Sequence, residues 1–414
     1  MSLFCHHLGV KSVQAAGIII EYNPMHRGHA YLLEQVRDRL GAYTAVIGVM
    51  SGDFVQRGDF AIVRRQARVK AAVESGVDLV LELPLPWAVA SAERFADGGV
   101  QVLLGTGLVS HIAFGSECGD ADALERAAKA LLSPELGGFV RRELTRGDSY
   151  AAARQRALRA MLPTEDAALL ESPNNILGVE YCKALLRRDS AIRPLTVRRR
   201  GTGYHGTELE GGVASATMVR SLLRNGERER ALDLMAPDMK TAYLEEEAAG
   251  RAPVFRETCQ RAILARLRSM SEADFAALDQ GGEGLWNRLY DASREAVSVE
   301  ELLETAKTKR YAYTRLQRMV LWAYLGLTPA DFPEAVPYLR VLACNETGRA
   351  LLARMRETAS VPVLTKPADV RRLGPGARKL FETEARAADL YALAYPNLTA
   401  AVGGSLWREG PVIR

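Results

Sequence analysis

Two histidines three residues apart, His26 and His29, flank Gly28 just after the apolar run Gly17-Ile18-Ile19-Ile20 and the breaker Asn23-Pro24. Imidazole both donates and accepts hydrogen bonds near neutral pH, and two rings within one helical turn reach one ligand. The apolar run predicts a buried strand, and the stripe Leu32, Leu33, Val36 and Leu40 predicts a helix behind the histidines. A strand, a tight turn and a helix start together aim unpaired backbone N–H groups at one point, which attracts an anion. The chemistry this implies is nucleotide phosphate binding. The imidazoles donate to phosphate oxygens and offset charge that builds on the α-phosphate and on a departing pyrophosphate. A side chain at Gly28 would obstruct the approach of the nucleotide to the backbone. The plainer alternative is a pair of helix-start histidines satisfied by backbone. No metal site is expected, because no third ligand has matching spacing.

Further constellations point the same way. In Ala214-Ser215-Ala216-Thr217-Met218-Val219-Arg220, two hydroxyls precede an apolar helix start and Arg220 follows Thr217 by three residues. Alone this reads as an N-cap with a surface arginine. Beside two histidines it reads as a second phosphate clamp. The loop Met50-Ser51-Gly52-Asp53-Phe54-Val55-Gln56-Arg57-Gly58-Asp59 follows a predicted strand, where open α/β sheets bind ligands. Asp53, Gln56 and Arg57 are its candidate wall for a second substrate. Gly115, at a predicted strand end, would let a flat base lie on bare backbone. Asn174 and Asn175 could read an adenine edge or build a turn. Arg199 and Arg200 offer guanidinium groups for phosphate.

The elements that must position these residues follow from hydrophobic patterning. Gly17–Ile20, Ala45–Met50, Val77–Leu83, His111–Phe114 and Pro194–Val197 are short apolar runs, as parallel strands covered on both faces require. They alternate with helical stripes such as Val69, Ala72 and Val73. The expected fold is α/β, a Rossmann-like doubly wound parallel sheet whose first strand–helix turn is its ligand end. The expected organisation is an N-terminal extension over 1–16, a catalytic domain over 17–235 with a helical insert at about 121–170, and a mainly helical C-terminal domain over 236–414. No convincing strand alternation is seen after about residue 225.

With 414 residues, more than one core is expected. A net charge of +4 is too small to mark a nucleic-acid binder, so any basic surface must be local. The stretch 307–318 is such a surface. Lys307, Lys309, Arg310, Arg315 and Arg318 could contact phosphates there, and Tyr311 or Tyr313 could stack on a splayed base. The alternative is a solvated helix face with the tyrosines in the core. The five cysteines, at 5, 118, 182, 259 and 344, form no CxxC pair, so reduced, buried thiols in a cytoplasmic protein are expected. No apolar run is long enough to cross a membrane. Met1 to Gln14 lacks the apolar core of a secretory signal.

The motifs at 21–29 and 50–58, with Leu81-Glu82-Leu83-Pro84, Phe114-Gly115-Ser116-Glu117, Pro173-Asn174-Asn175-Ile176-Leu177-Gly178 and Ser215-Ala216-Thr217…Arg220, together resemble the bacterial tRNA(Met) cytidine acetate ligases. Thr308-Lys309-Arg310-Tyr311…Arg318 and Tyr338-Leu339-Arg340-Val341-Leu342 extend the resemblance to the C-terminal part. The HxGH motif alone is shared with nucleotidyltransferases and class I aminoacyl-tRNA synthetases; the full set is specific. The resemblance implies a two-step reaction. ATP, expected with Mg²⁺, and acetate give acetyl-adenylate and pyrophosphate. The N4 amine of the wobble cytidine of elongator tRNA(Met) then takes the acetyl group, and AMP leaves. Catalysis would fall to His26, His29 and Arg220. ATP would lie across Ile19, Ile20, Glu21, Tyr22, Asn23, Pro24, Met25, His26, Arg27, Gly28, His29, Ala30, Tyr31 and Leu32. Further contacts would come from Gly115, Asn174, Asn175, Arg199, Arg200, Ser215 and Thr217. The competing reading is a small-molecule adenylyltransferase of the same superfamily. No membrane or protein partner is expected.

Overall fold

The apolar runs form the strands expected of them. The computed structural model describes residues 15–144, 150–199 and 214–414. Its strands are β1 (Ala15–Ile20), β2 (Ala45–Ser51), the short β3 (Phe54–Val55) and β4 (Asp59–Phe60), β5 (Leu79–Leu83), β6 (Val109–Ser116) and β7 (Arg193–Arg198). Three more follow: β8 (Leu339–Cys344), β9 (Val363–Leu364) and β10 (Val412–Ile413). The order across the main sheet is β10-β8-β5-β2-β1-β6-β7, with β9 on β8. The five strands from β5 to β7 are mutually parallel. The chain steps one way from β1 to β2 and β5, then returns to β6 on the other side of β1. That reversal opens a crevice at the carboxyl ends of β1 and β6, where such sheets bind ligands.

The helix α1 (Arg27–Leu40) buries Leu33 and Val36 against one face of the sheet. That face is packed with Ile18, Ile20, Val46 and Val80. Ile47, Val49, Leu79, Leu81 and Ile112 pack on the other face, against Val100 and Leu103 of the Ala92–Gly105 helix. Beyond β6, helices run over 121–132, 134–144 and 150–161.

Two expectations need correction. The first strand begins at Ala15 rather than Gly17. The stretch after residue 225 is not free of strands: β8 joins the central sheet antiparallel to β5, with β10 beside it. A boundary at 235/236 therefore falls between segments that share one sheet. Arg340 of β8 makes an ion pair of 2.8 Å with Glu82 of β5, and Arg65 holds the other Glu82 oxygen at 3.2 Å. The C-terminal helices form a further core around Phe275, Leu316 and Trp322. They are tied to the strand–helix half by Trp322 Nε1 donating to the Val89 carbonyl (2.9 Å) and Tyr391 Oη donating to the Ala61 carbonyl (2.7 Å).

Gly58 closes this junction. Its φ is +79°, and a Cβ there would run into the backbone of Gln317 and Arg318 in the Tyr313–Leu325 helix. Gly58→Ala combines strained backbone with a clash that a side-chain rotation cannot relieve. We expect it to cost on the order of 2 kcal/mol, read as a lower urea midpoint for unfolding.

Candidate active site

The turn after β1 is built by long-range hydrogen bonds. Tyr22 is buried with φ +46°, a conformation that side chains rarely adopt without support. Arg68 supplies part of that support. It is fully buried and donates to the Glu21 carbonyl (2.6 Å), the Val63 carbonyl (3.0 Å) and the Gly52 carbonyl. One guanidinium thus pins the ends of β1 and β2 side by side. Asn23 Oδ1 accepts from the Ile62 N–H (2.7 Å), and the Met25 carbonyl accepts from the Ala236 N–H (3.0 Å).

His26 is the N-cap of α1. Its Nδ1 accepts the Gly28 N–H (3.1 Å), and His29 Nδ1 accepts the His26 N–H (3.2 Å). The two imidazoles form a reciprocal capping box, with ring centroids 3.9 Å apart. The consequence is chemical. With Nδ1 an acceptor on each ring, each neutral imidazole carries its proton on Nε2, so both Nε2–H groups are donors. Burial and the nearby Arg199 and Arg220 charges push His26 down to about 3. Burial and the neighbouring His26 hold His29 well below the usual histidine range. Both rings are neutral donors at physiological pH. The backbone thus takes Nδ1 of each ring and leaves Nε2 unused by it.

A stability prediction follows from those lowered values. The unfolded chain binds protons at its ordinary histidine value of ~6.5, before the folded protein does. The contribution of a neutral His26 is complete above ~6.5 and is lost progressively as pH falls toward about 3. Urea unfolding of the unliganded protein should show a loss on the order of 2 kcal/mol from His26 between pH 7 and 5. The His26→Asn variant keeps a cap and should lose that part of the slope.

A cleft of about 1580 Å³ opens beside the histidines. This exceeds the ~300–1,000 Å³ of ordinary small-ligand sites. Ile19, Ile20, Glu21, Tyr22, Asn23, His26, Arg27, Gly28, His29, Tyr31 and Leu32 line it from the first turn. Gly115, Asn174, Arg199, Ser215, Thr217, Arg220 and Arg57 line it from elsewhere. Arg220 Nη1 donates to the Asn23 carbonyl (2.6 Å) and Nη2 to Thr217 Oγ1 (3.2 Å), which fixes the guanidinium beside the turn. Ser215 is the N-cap of the Ala216–Arg224 helix, its Oγ accepting the Met218 N–H at 3.2 Å. Six arginines and four carboxylates line the cleft among the described residues, an excess of positive charge suited to an anion.

Other expected residues do not line it. Pro24 is buried, Met25 lies in the core with Ile18 and Val36, and Ala30 packs against that core. Asn175 is buried: its Oδ1 accepts from the Glu117 N–H (2.9 Å) and the Cys118 N–H (3.1 Å). Glu117 in turn caps the Pro173–Arg187 helix through the Asn174 and Asn175 N–H groups. Both asparagines lie in the first turn of that helix, Asn174 at the cleft and Asn175 inside. Asp53 and Gln56 also leave the expected second-substrate wall. Asp53 Oδ1 accepts the Arg65 N–H (2.7 Å), and its charge faces Arg65 and Arg68. The Gln56 N–H donates to Glu21 Oε1 (2.7 Å), and its amide donates to the Ala90 carbonyl (3.1 Å). Arg200 lies outside the described residues.

The basic stretch divides as well. Lys307, Lys309 and Arg310 are exposed. Tyr311 is buried, with its Oη donating to the Glu283 carbonyl (2.6 Å), so it is not a stacking platform. Arg318 is buried on Gln280 Oε1 (2.9 Å), and Arg315 Nε donates to the Gln280 carbonyl (2.8 Å). Tyr313, Thr314 and Gln317 line the cleft, so the C-terminal helices supply one wall of it. Sequence reading assigned Thr314 and Gln317 no role at the site; their signal was a spacing of three on one helix. Four thiols, Cys118, Cys182, Cys259 and Cys344, are free.

Fold and site together define a nucleotidyl transferase of the HIGH class, and the sequence model of the HIGH Nucleotidyl Transferase family matches residues 13–404. Within that class the similarity is narrower. A tRNA(Met) cytidine acetate ligase from Acetivibrio thermocellus is 37% identical over 97% of this chain and 100% of its own length. The crystal structure of Thermotoga maritima TmcAL in its apo form superposes with a TM-score of 0.91 at 32% identity, covering 97% of this chain and 99% of that one. The same protein bound with alpha-thio ATP superposes at 0.90 and 31% identity. The chain belongs to the tRNA(Met) cytidine acetate ligase family.

Proposed function

We propose that this protein is an ATP-dependent ligase that activates acetate as acetyl-adenylate and acetylates N4 of the wobble cytidine of elongator tRNA(Met). The observation that carries the phosphate half is the pair of neutral Nε2–H donors, locked by mutual capping next to Arg220. Acetate is a poor electrophile. Its carboxylate oxygen attacks the α-phosphorus of ATP and pyrophosphate leaves. The donors neutralise charge as it develops, and the fixed turn supplies alignment. His26, His29, Arg220 and the Ser215–Thr217 helix start hold the phosphates in this reading, with Arg199 at the mouth. Mg²⁺ would enter on the nucleotide. No group of three or more metal-binding side chains stands among the described residues, and magnesium commonly rests on substrate phosphates.

The C-terminal wall favours this reading over a small-molecule adenylyltransferase, because a cleft shared by both halves of the chain admits a second, large substrate. With ATP and tRNA as substrates, the site of action is the cytoplasm. Among the described residues no helix is long and apolar enough to cross a membrane. The test is to incubate the protein with ATP, acetate, Mg²⁺ and tRNA(Met), then analyse nucleosides by mass. N4-acetylcytidine with stoichiometric AMP is expected. AMP retained on a small product, with no effect of tRNA, would favour the adenylyltransferase.

A further inference from the structure

We propose that Asp59 and Tyr313 form the acceptor-base site, in which Tyr313 stacks the cytosine and Asp59 takes a proton from its exocyclic amine. This rests on the ligase reading above and assigns the second half of that reaction to residues of this chain.

The first support is an accounting of negative charge. Four carboxylates line the cleft among the described residues. Glu21 accepts from the Gln56 N–H, Glu117 is spent on the Pro173–Arg187 helix, and Glu227 is paired with Arg230. Glu21, like Asp59, engages one oxygen, but it is buried among Arg68, Arg220 and Arg57 and serves as their counter-charge; Asp59 uses one oxygen on the Phe60 N–H (2.9 Å) and is in no ion pair among the described residues. A carboxylate outside any ion pair repels a triphosphate. It suits the N4 amino group of cytosine, which is a hydrogen-bond donor that Asp and Glu accept from.

The second support is placement. Asp59 lines the same cleft as Arg220 of the phosphate clamp and Tyr313 of the helical wall, and its charge is felt at both. Gly58, pressed on the backbone of the Tyr313–Leu325 helix, holds Asp59 in fixed relation to that helix. Tyr313 is half-buried and lines the cleft, and the Lys307 ammonium lies 5.2 Å from its ring centroid. An aromatic ring beside a cation is the arrangement that holds a splayed base and its phosphate.

The step balances. The N4 lone pair attacks the acetyl carbonyl carbon, and the N–C bond forms. The bond from that carbon to the adenylate oxygen breaks, and AMP departs with its electron pair. The N4 proton passes to Asp59. Cytosine N4 is a weak nucleophile because its lone pair is shared with the ring, so removing the proton as the bond forms contributes directly to rate.

Two readouts separate the halves of the reaction: acetate-dependent pyrophosphate release without tRNA, and single-turnover acetyl transfer to tRNA(Met). In Asp59→Asn we expect transfer to fall about 100-fold, with pyrophosphate release within threefold of wild type. Tyr313→Ala should slow transfer about tenfold or more, and Tyr313→Phe should restore it. Wild-type transfer in Asp59→Asn would overturn the proposal. So would equal loss of both steps, which would put Asp59 on the nucleotide or its metal. A wild-type protein that makes no acetyl-adenylate would instead overturn the ligase reading, and this assignment with it.

Discussion

His29→Ala should lower acetate-dependent pyrophosphate release by about 10²–10³-fold while leaving the affinity for tRNA(Met) nearly unchanged. The magnitude is that of removing one preorganised donor from a developing negative charge, about 2.7–4 kcal/mol. Two effects combine in this variant. One Nε2–H is lost, and the His26 N–H loses its acceptor. The second effect loosens His26 as well. A His29→Asn variant separates them, since a short amide can still cap. It should regain the thermal stability of wild type and regain little activity. Exposed basic groups such as Lys307 and Lys309 lie elsewhere on the chain, so a filter-binding measurement should find tRNA affinity within about twofold.

Arg220→Ala has the second largest expected effect, a loss of about 10²–10³-fold in the same half-reaction. Arg220 is tied to the Asn23 carbonyl and to Thr217, so its position is set by the turn that carries the histidines. Arg220→Lys tests that geometry. An ammonium keeps the charge but lacks the planar fork that bridges two acceptors and a phosphate. We expect Arg220→Lys to recover at most about a tenth of the wild-type rate, with a raised KM for ATP. Full recovery would show that charge alone suffices at this position.

Much of this site was legible because its signals are local. A strand, an Asn-Pro break and two histidines at a helix start sit within thirteen residues of chain, from Gly17 to His29. The reciprocal cap between the rings is a contact across three residues, within reach of spacing arguments. The parts that misled depend on partners far away in the chain. Asp53 and Gln56 look like ligand-binding residues from their place after a strand. Their hydrogen bonds run to Arg65, Glu21 and Ala90 instead. Arg68 carried no sequence signal, yet it holds the ends of two strands together from the core. Strand β8 was hidden by Arg340, a charge inside an apolar run, whose burial makes sense only with Glu82 opposite. Tyr311 and Tyr313 differ by two positions and have opposite fates. The helix starts at Tyr313, so Tyr311 precedes it and drops into the C-terminal core, while Tyr313 faces the cleft.

A crystal structure of this protein with a nonhydrolysable ATP analogue tests the central claim most directly. The account predicts the triphosphate in the crevice between β1 and β6, with phosphate oxygens within hydrogen-bond distance of Nε2 of both His26 and His29 and of the Arg220 guanidinium. An analogue bound elsewhere, or either imidazole rotated so that Nδ1 rather than Nε2 meets the phosphate, would contradict it.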